Sequence, residues 1–275
     1  MKIDLHTHSN KSDGTMSPTE LVQHAIINGL DVIGLTDHDT IAGWSEATAA
    51  IRGDFKLAPG AEISCLTEDH KSVHILGLLF DGVYEPMQEV MAASRDDRIP
   101  RMKKMIELMA ADGIAITFEE VQQYQTEGAT LGRPHLADAL VAKGFVRNRD
   151  QAFAELLNNE SKYYVSHISP TPLEAITLIK AAGGVSVIAH PGSSFPELNL
   201  EIFSQFKEAG LSAIEVAHRD HSQAERDLLS AIAKELQLIQ TGSSDFHGSG
   251  KLNQIGENLT EPEQWEQLAS LASLG

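Results

Sequence analysis

Short runs of apolar residues alternate with helical patterns over the first 80 residues of the chain. An apolar run at 3–8 is followed by a helical pattern at 17–28, in which Ser17 and Glu20 have the spacing of a capping box and Pro18 takes the first helical position. Further strand-like runs lie at 32–35, 57–63 and 73–80, and a helical pattern lies at 41–51. This alternation predicts a mostly parallel sheet.

Only helical patterns are found between Pro86 and about residue 166, where we expect helices at 87–94, 101–111, 118–125, 133–143 and 150–158. The alternation returns at Thr171, with predicted strands at 185–189, 214–216 and 238–241 and helices at 200–209 and 223–236. About seven strands result, enough to close a barrel. The sequence thus predicts an α/β protein, with residues 1–85 and 167–275 forming a discontinuous barrel and residues 86–166 an inserted helical domain.

Histidines and carboxylates recur on these strands or directly after them. His6 and His8 are two residues apart on the first predicted strand, so their side chains project to the same face. The other candidates lie at or just after the carboxyl ends of strands, the functional face of parallel barrels, except His74 near the start of its run. The candidate metal ligands are His6, His8, Asp13, His38, Glu62, His74, His190, Asp245 and His247.

Each of these residues alone has an ordinary structural interpretation. A single histidine at a strand end is usually not a ligand, and Asp13 lies in a Ser-Asp-Gly turn. Their joint occurrence favours a metal site, because six of the 12 histidines fall in runs otherwise rich in Val, Ile, Leu and Gly, where unpaired polar groups are costly. Six imidazoles and three carboxylates suit two or three divalent ions, such as Mn²⁺, Fe²⁺ or Zn²⁺.

The remaining histidines lack this placement. His135 and His218 could approach the mouth of the barrel, whereas His24 lies on a helix and is expected at the surface. The others are His70, His167 and His221.

Composition and charge narrow the possible partners. A formal charge of −18 argues against binding long duplex nucleic acid, which requires a basic surface. The chain lacks an apolar stretch of membrane-spanning length and an apolar signal-peptide core near its start, so we expect a cytoplasmic protein without membrane contact. The single cysteine, Cys65, excludes an intramolecular disulfide and fits a reducing compartment.

Several motifs together resemble those of the PHP superfamily, the polymerase and histidinol phosphatase group. They are DLHTHSNKSDG at 4–14, LTDHDT at 35–40, PGAEIS at 59–64, the following His74, AHP at 189–191 and SSDFH at 243–247. The resemblance implies a distorted (β/α)7 barrel, metal-dependent phosphoesterase activity and up to three ions, with Mn²⁺ the favoured metal. It implies three ligand groups: His6, His8, Glu62 and Asp245; Glu62, His74 and His190; and Asp13, His38 and His247.

The helical insert resembles that of nucleoside 3′,5′-bisphosphate phosphatases, whose relatives also trim short RNA from its 5′ end. The similarity lies in RDDRIPRMKKM at 95–105, LGRPHLADALVAKG at 131–144 and the following Tyr163-Tyr164-Val165. Guanidinium groups suit phosphate oxygens, although Arg95 and Lys103 could instead form a charged helix face with neighbouring aspartates. We expect substrate contacts from Arg98, Arg101, Arg133, His135 and His38.

The predicted activity is hydrolysis of the 3′-phosphate of a nucleoside 3′,5′-bisphosphate by a metal-activated water. The insert cations would hold the other phosphate, and His190 or His218 could protonate the leaving oxygen. Covalent catalysis is disfavoured, because Cys65 lacks an obvious partner and no GxSxG or P-loop motif is found. The expected substrate is a small nucleotide or short oligonucleotide.

Three other functions stay open. A histidinol-phosphate-type monophosphatase would not need the basic insert. A 5′-3′ exonuclease on short RNA would find few stacking platforms, because aromatic residues make up only 5% of the chain. A non-catalytic metal-binding module is disfavoured by the complete ligand set.

Overall fold

A computed structural model describes residues 1–69, 71–126, 129–166, 168–195 and 198–272. His70 and His167 lie outside the described residues. The strands are β1 (Ile3–Thr7), β2 (Val32–Leu35), β3 (Lys56–Leu66), β4 (Ser72–Leu78), β5 (Val185–Ile188), β6 (Ala213–Ala217) and β7 (Ile239–Gly242). The helices are α1 (Pro18–Ile27), α2 (Trp44–Ala50), α3 (Glu85–Ala111), α4 (Phe118–Gln122), α5 (Arg133–Ala142), α6 (Arg149–Ala152), α7 (Pro172–Ala181), α8 (Pro191–Ser194), α9 (Leu200–Ala209), α10 (Gln223–Glu235) and α11 (Pro262–Leu271).

The seven predicted strands form one sheet in chain order. A parallel bridge between Thr7 and Phe246 brings its two edges together, so the sheet is a nearly closed barrel. The outer pairings are parallel, but β4 runs antiparallel to both β3 and β5. The connection between β3 and β4, residues 67–71, is far too short for the helical crossover that a parallel pair needs.

Helices α7, α9 and α10 cover one side of the barrel. Ile179, Phe203 and Leu229 from these helices pack with strand residues such as Ile75 and Ile214 in one buried cluster. The capping box predicted at the start of α1 is present, and Thr171 and Glu174 form another at the start of α7. No helix among the described residues is both long enough and apolar enough to cross a membrane.

Helix α3 differs from the sequence prediction, which placed two helices at 87–94 and 101–111. One continuous helix includes Pro100 instead. A proline removes one backbone donor and distorts the helix, but packing at both ends retains it here. Met87 lies in the barrel core, whereas Met102 and Met105 lie in a separate cluster formed by the insert. Helix α3 therefore passes from the barrel into the insert.

Two further differences concern local structure. Helix α6 continues as a π-helical turn, Phe153–Leu157, where an ordinary helix was expected. Helix α11 was not predicted, although Pro262 at its start and the buried Trp265 and Leu268 are typical helix signals.

Candidate active site

The nine predicted ligands converge at one end of the barrel. His6 lies on β1, Glu62 on β3 and His74 on β4. His8 directly follows β1, and the remaining ligands lie in the segments after β1, β2, β5 and β7. His74 reaches the same end because β4 is antiparallel: it pairs with Ser64, close to the carboxyl end of β3. The reversed direction of β4 thus explains why His74 lies near the start of its strand.

Glu62 lies at the centre of this cluster, with five histidine nitrogens around its two buried oxygens. Its Oε2 atom is 3.2 Å from His6 Nε2, 3.0 Å from His8 Nε2 and 3.2 Å from His38 Nδ1, and its Oε1 atom is 2.7 Å from His74 Nδ1 and 3.0 Å from His190 Nε2. A carboxylate in this position can bridge metal ions.

The other carboxylates face the same histidines. Asp245 Oδ1 is 3.4 Å from both His6 Nε2 and His8 Nε2, and Asp13 Oδ1 is 3.3 Å from His247 Nε2. Three groups have donor atoms close enough to share an ion: His6, His8, Glu62 and Asp245; His8, Asp13, His38 and His247; and His38, Glu62 and His74. The division of ligands among ions implied by the resemblance stays a prediction.

The chemistry of these donors fits divalent metal ions. Unpaired polar atoms in a protein interior each cost about 1–3 kcal/mol. Within the described residues, six buried atoms here make no hydrogen bond, because even their close approaches to carboxylate oxygens lack hydrogen-bond geometry: Asp13 Oδ1, His38 Nδ1, His74 Nδ1, His190 Nδ1, His218 Nε2 and His247 Nε2. Divalent ions coordinated by imidazole nitrogens and carboxylate oxygens would satisfy such atoms.

Mutual attraction favours the charged forms of the carboxylates and of two histidines in this cluster. Burial opposes ionisation, but the charges of His38 and His74 hold the pKa of Glu62 well below its usual range. Burial also opposes protonation of His8, yet hydrogen bonds to Asp245 and Glu62 raise its pKa to about 9. Neighbouring carboxylates also raise the pKa of His6 against the effect of burial, whereas burial lowers the pKa of His38, His190 and His247. Metal binding would displace the protons that His6 and His8 hold.

Three residues of the site have left-handed backbone conformations. Asp39, His190 and Asp245 have φ values of 51°, 28° and 52°. Such conformations are unfavourable for residues other than glycine and concentrate at functional sites.

Glu215 positions two ligands and was not among the predicted site residues. Its Oε1 atom is 3.2 Å from His6 Nδ1 and accepts a hydrogen bond from the Ser243 hydroxyl, and its Oε2 atom accepts one from the His190 backbone N–H at 2.6 Å. Burial favours its neutral form, but His6 lowers the pKa of Glu215 to about 2. A carboxylate between Ile214 and Val216 in a buried strand was the available sequence signal.

Replacing Glu215 should weaken metal binding. We expect Glu215→Gln to lower manganese affinity about 10- to 100-fold, because the residue orients His6 through its second ring nitrogen. Metal titration followed by elemental analysis measures this affinity, and the exposed Glu208→Gln is the matched control. Equal affinities for Glu215→Gln and wild type would contradict the role.

Two further buried aspartates anchor the loops that carry ligands. Asp37 accepts hydrogen bonds from the Ser9 and Ser12 hydroxyls, each at 2.6 Å, in the loop that carries Asp13. Asp4 accepts from the Ser244 hydroxyl at 2.6 Å, directly before Asp245. Serine hydroxyls paired with interior aspartates thus fix the positions of ligands after β1 and β7.

Arg98 links the insert to the barrel. Its Nη2 atom donates to Asp39 and, at 2.9 Å, to Ser64 Oγ, and its Nη1 atom donates to the Leu131 carbonyl at 3.1 Å. Arg95, on the same helix, donates to the Asp39 carbonyl. Both residues therefore tie α3 to the loop after β2.

Arg101 and Arg133 lack a carboxylate partner among the described residues. Arg101 Nε donates to the Val165 carbonyl at 2.6 Å, and Arg133 Nη1 to the Leu157 carbonyl at 2.7 Å. Both guanidinium groups lie against Tyr164, 5.4 and 5.8 Å from its ring centre. Burial and the charge of Arg133 lower the pKa of Arg101 to about 9, although a guanidinium remains protonated at neutral pH. These adjacent cations suit an anionic ligand.

A cavity of about 150 Å³ joins these cations to the metal ligands. Its lining includes Asp13, His38, His74, Arg98, Arg101, Arg133, Phe153 and Lys251. A second cavity, of about 190 Å³, is lined by His38, Glu62, His74, His190, Ser193, Asp220, Asp245 and Lys251. Lys251, which sequence reasoning missed, lines both cavities, and its Nζ atom is 2.5 Å from Asp245 Oδ2.

His135 and His218 occupy different surroundings. His135 Nδ1 accepts from the Gly132 backbone N–H at 3.0 Å at the start of α5, and its predicted substrate contact stays a prediction. His218 is buried, with Nε2 3.8 Å from Asp245 Oδ2 and its ring centre 5.5 Å from that of His190. Burial opposes protonation, but Asp245 raises the pKa of His218. His24 packs against Phe246.

Comparisons with known proteins agree with this geometry. The sequence matches the family model of the PHP domain over residues 4–145. A 5′-3′ exoribonuclease from Haemophilus influenzae is 34% identical over 261 residues, covering 94% of this chain and 94% of that protein. A 3′,5′-nucleoside bisphosphate phosphatase from Chromobacterium violaceum is 33% identical over 252 residues, covering 90% and 88%.

A crystal structure from Bifidobacterium adolescentis, classed as a metal-dependent phosphoesterase, has a TM-score of 0.91 at 39% identity and covers 99% of this chain and 96% of that one. The predicted distorted (β/α)7 barrel of PHP type is thus confirmed. The barrel and the cluster of candidate metal ligands are together those of a metal-dependent phosphoesterase. Within that class, the chain belongs to the PHP domain family.

Proposed function

We propose that the protein hydrolyses the 3′-phosphate of nucleoside 3′,5′-bisphosphates, yielding the 5′-monophosphate and inorganic phosphate. The observation that carries this proposal is the shared cavity. It places Arg101 and Arg133, which lack carboxylate partners among the described residues, beside the ligands His38 and His74. A substrate with two phosphates can present one to each side of this cavity.

Three sets of side chains would have separate roles in the reaction. Divalent ions held by the nine ligands would supply an acidified water and neutralise phosphate charge. The forked guanidinium groups of Arg101 and Arg133 would bind the second phosphate and set the position of the nucleotide. His218 is buried with Nε2 3.8 Å from Asp245 Oδ2, and the half-buried His190 has its ring centre 5.5 Å from that of His218. We propose that His218, or His190 if it does not coordinate an ion, protonates the leaving 3′ oxygen.

We propose manganese as the metal, because the ligand set mixes imidazoles with hard carboxylate oxygens. The cytoplasmic location and the absence of duplex or membrane partners stay predictions. The net charge of −18 supports the absence of a duplex partner.

A second candidate is 5′-3′ exonuclease activity on short RNA. The Haemophilus influenzae relative supports it, as does Phe153, an aromatic residue that lines the cavity beside Arg133. The two activities share the chemistry and differ in whether the scissile phosphate also carries a further nucleotide.

Parallel assays test these candidates. Phosphate release from adenosine 3′,5′-bisphosphate with Mn²⁺ is compared with cleavage of a 5′-phosphorylated RNA oligomer and hydrolysis of histidinol phosphate. We expect the bisphosphate to have the highest kcat/KM. A higher value for the oligomer would establish the exonuclease instead, and a preference for histidinol phosphate would contradict the assigned role of the insert.

A further inference from the structure

We infer that the ammonium group of Lys251 binds a non-bridging oxygen of the scissile phosphate in the metal-loaded enzyme. This inference rests on the proposed phosphate-ester hydrolysis and adds a residue from the barrel to the cations of the insert. Lys251 lies in the loop after β7, six residues beyond Asp245. It lines both the cavity above the metal ligands and the cavity that reaches the insert.

The backbone before Lys251 is held from two sides. The Gly250 carbonyl accepts a hydrogen bond from Arg149 Nη1 at 2.9 Å, and Arg149 is itself fixed by Asp138 at 2.6 and 2.5 Å. The Ser249 backbone N–H donates to Thr15 Oγ1 at 2.9 Å. The insert and the loop after β1 therefore both anchor this segment, which keeps the side chain of Lys251 at the cavity.

The present partner of the ammonium group is a candidate metal ligand. Lys251 Nζ lies 2.5 Å from Asp245 Oδ2, while Asp245 Oδ1 faces His6 and His8. A divalent ion that takes up the charge of Asp245 would weaken the attraction between the carboxylate and the ammonium and would repel the ammonium.

Lys251 then requires another anion within reach. Glu62, in the same cavity, belongs to the ligand cluster. Asp220, the remaining carboxylate there, is 60% exposed and well hydrated, so it competes weakly. A phosphate bound at the metal ions would place its oxygens next to the present position of the ammonium group. An ammonium group binds phosphate strongly as a point charge.

Inorganic phosphate is the probe for the test, measured by calorimetric titration of the manganese-loaded full-length protein. We expect Lys251→Met to retain its manganese content and to bind phosphate about tenfold or more weakly, the effect of one lost charge-assisted hydrogen bond. Lys251→Arg should lose less than about threefold, because it keeps the charge. Lys207→Met, near the starts of β5 and β7 at the opposite end of the barrel, is the charge-matched control and should match wild type.

Unchanged phosphate affinity in manganese-loaded Lys251→Met would overturn the inference. A loss of affinity that only accompanies a loss of manganese would also overturn it, because Lys251 would then act through the metal site. If Lys251→Met does not fold, Lys251→Gln provides the same comparison. This outcome differs from a failure of the proposed function. In that case the wild-type enzyme would not release phosphate from the bisphosphate, whatever the phosphate affinity of the Lys251 variants.

Discussion

Glu62→Gln is expected to lose most of the bound manganese and to lower kcat/KM roughly 10³-fold or more. The metal ions that Glu62 would share supply several kcal/mol of stabilisation to the charge of the transition state. The substitution keeps the volume of the side chain but removes the charge that five histidines share. An amide also donates hydrogen bonds, and its NH₂ group cannot coordinate an ion as a carboxylate oxygen does. Elemental analysis and phosphate release from the bisphosphate measure both effects.

Glu235→Gln, on the exposed face of α10, is the matched control and should retain metal and activity. Thermal denaturation with and without added manganese separates a loss of metal from a loss of fold. Full manganese content with near-normal activity in Glu62→Gln would show that this carboxylate is not a shared ligand.

Arg133→Ala is expected to reduce kcat/KM for adenosine 3′,5′-bisphosphate about 10²-fold, since a half-buried guanidinium fork on phosphate makes two charge-assisted hydrogen bonds. The same variant should change kcat/KM for adenosine 3′-monophosphate by less than about threefold, because that substrate lacks the second phosphate. Comparing the two substrates therefore isolates the contribution of the insert. Steady-state kinetics with both substrates gives the ratio.

Arg147→Ala is a suitable control, because Arg147 is an exposed insert residue whose side chain hydrogen-bonds only to Gln151 among the described residues. Arg133→Lys should recover only part of the loss, since lysine keeps the charge without the fork. An equal loss of kcat/KM for both substrates would show that Arg133 stabilises the fold and does not recognise the second phosphate.

The arrangement of the metal ligands was accessible from sequence for a physical reason. Buried strands tolerate few polar groups, so histidines and carboxylates in apolar runs stand out, and the barrel brings strand ends together. His74 was the exception in position, and only the direction of β4 accounts for it. The short connection before β4 already excluded a crossover, so this direction could have been predicted as well.

Other parts of the site depend on tertiary contacts that no local pattern encodes. Glu215 acts through His6, 209 residues away in sequence, and Lys251 acts beside Asp245 in a loop of ordinary polar composition. The union of two predicted helices in α3 likewise depends on hydrophobic clusters at its two ends, which outweigh the local effect of Pro100. The periodicity of apolar residues does not show which buried charged residues contact each other.

The continuity of α3 has a consequence for substrate choice. Arg98 and Arg101 lie on a helix whose other end is packed in the barrel core. A helix rises about 1.5 Å per residue, so the number of residues between the two ends sets the distance of these arginines from the metal ligands. One residue added or removed between Met91 and Arg98 would turn both guanidinium groups by about 100° around the helix axis. For the proposed bisphosphate substrate, the number of residues in α3 would therefore set the position of Arg101 and, with it, the phosphate-to-phosphate distance that fits the site.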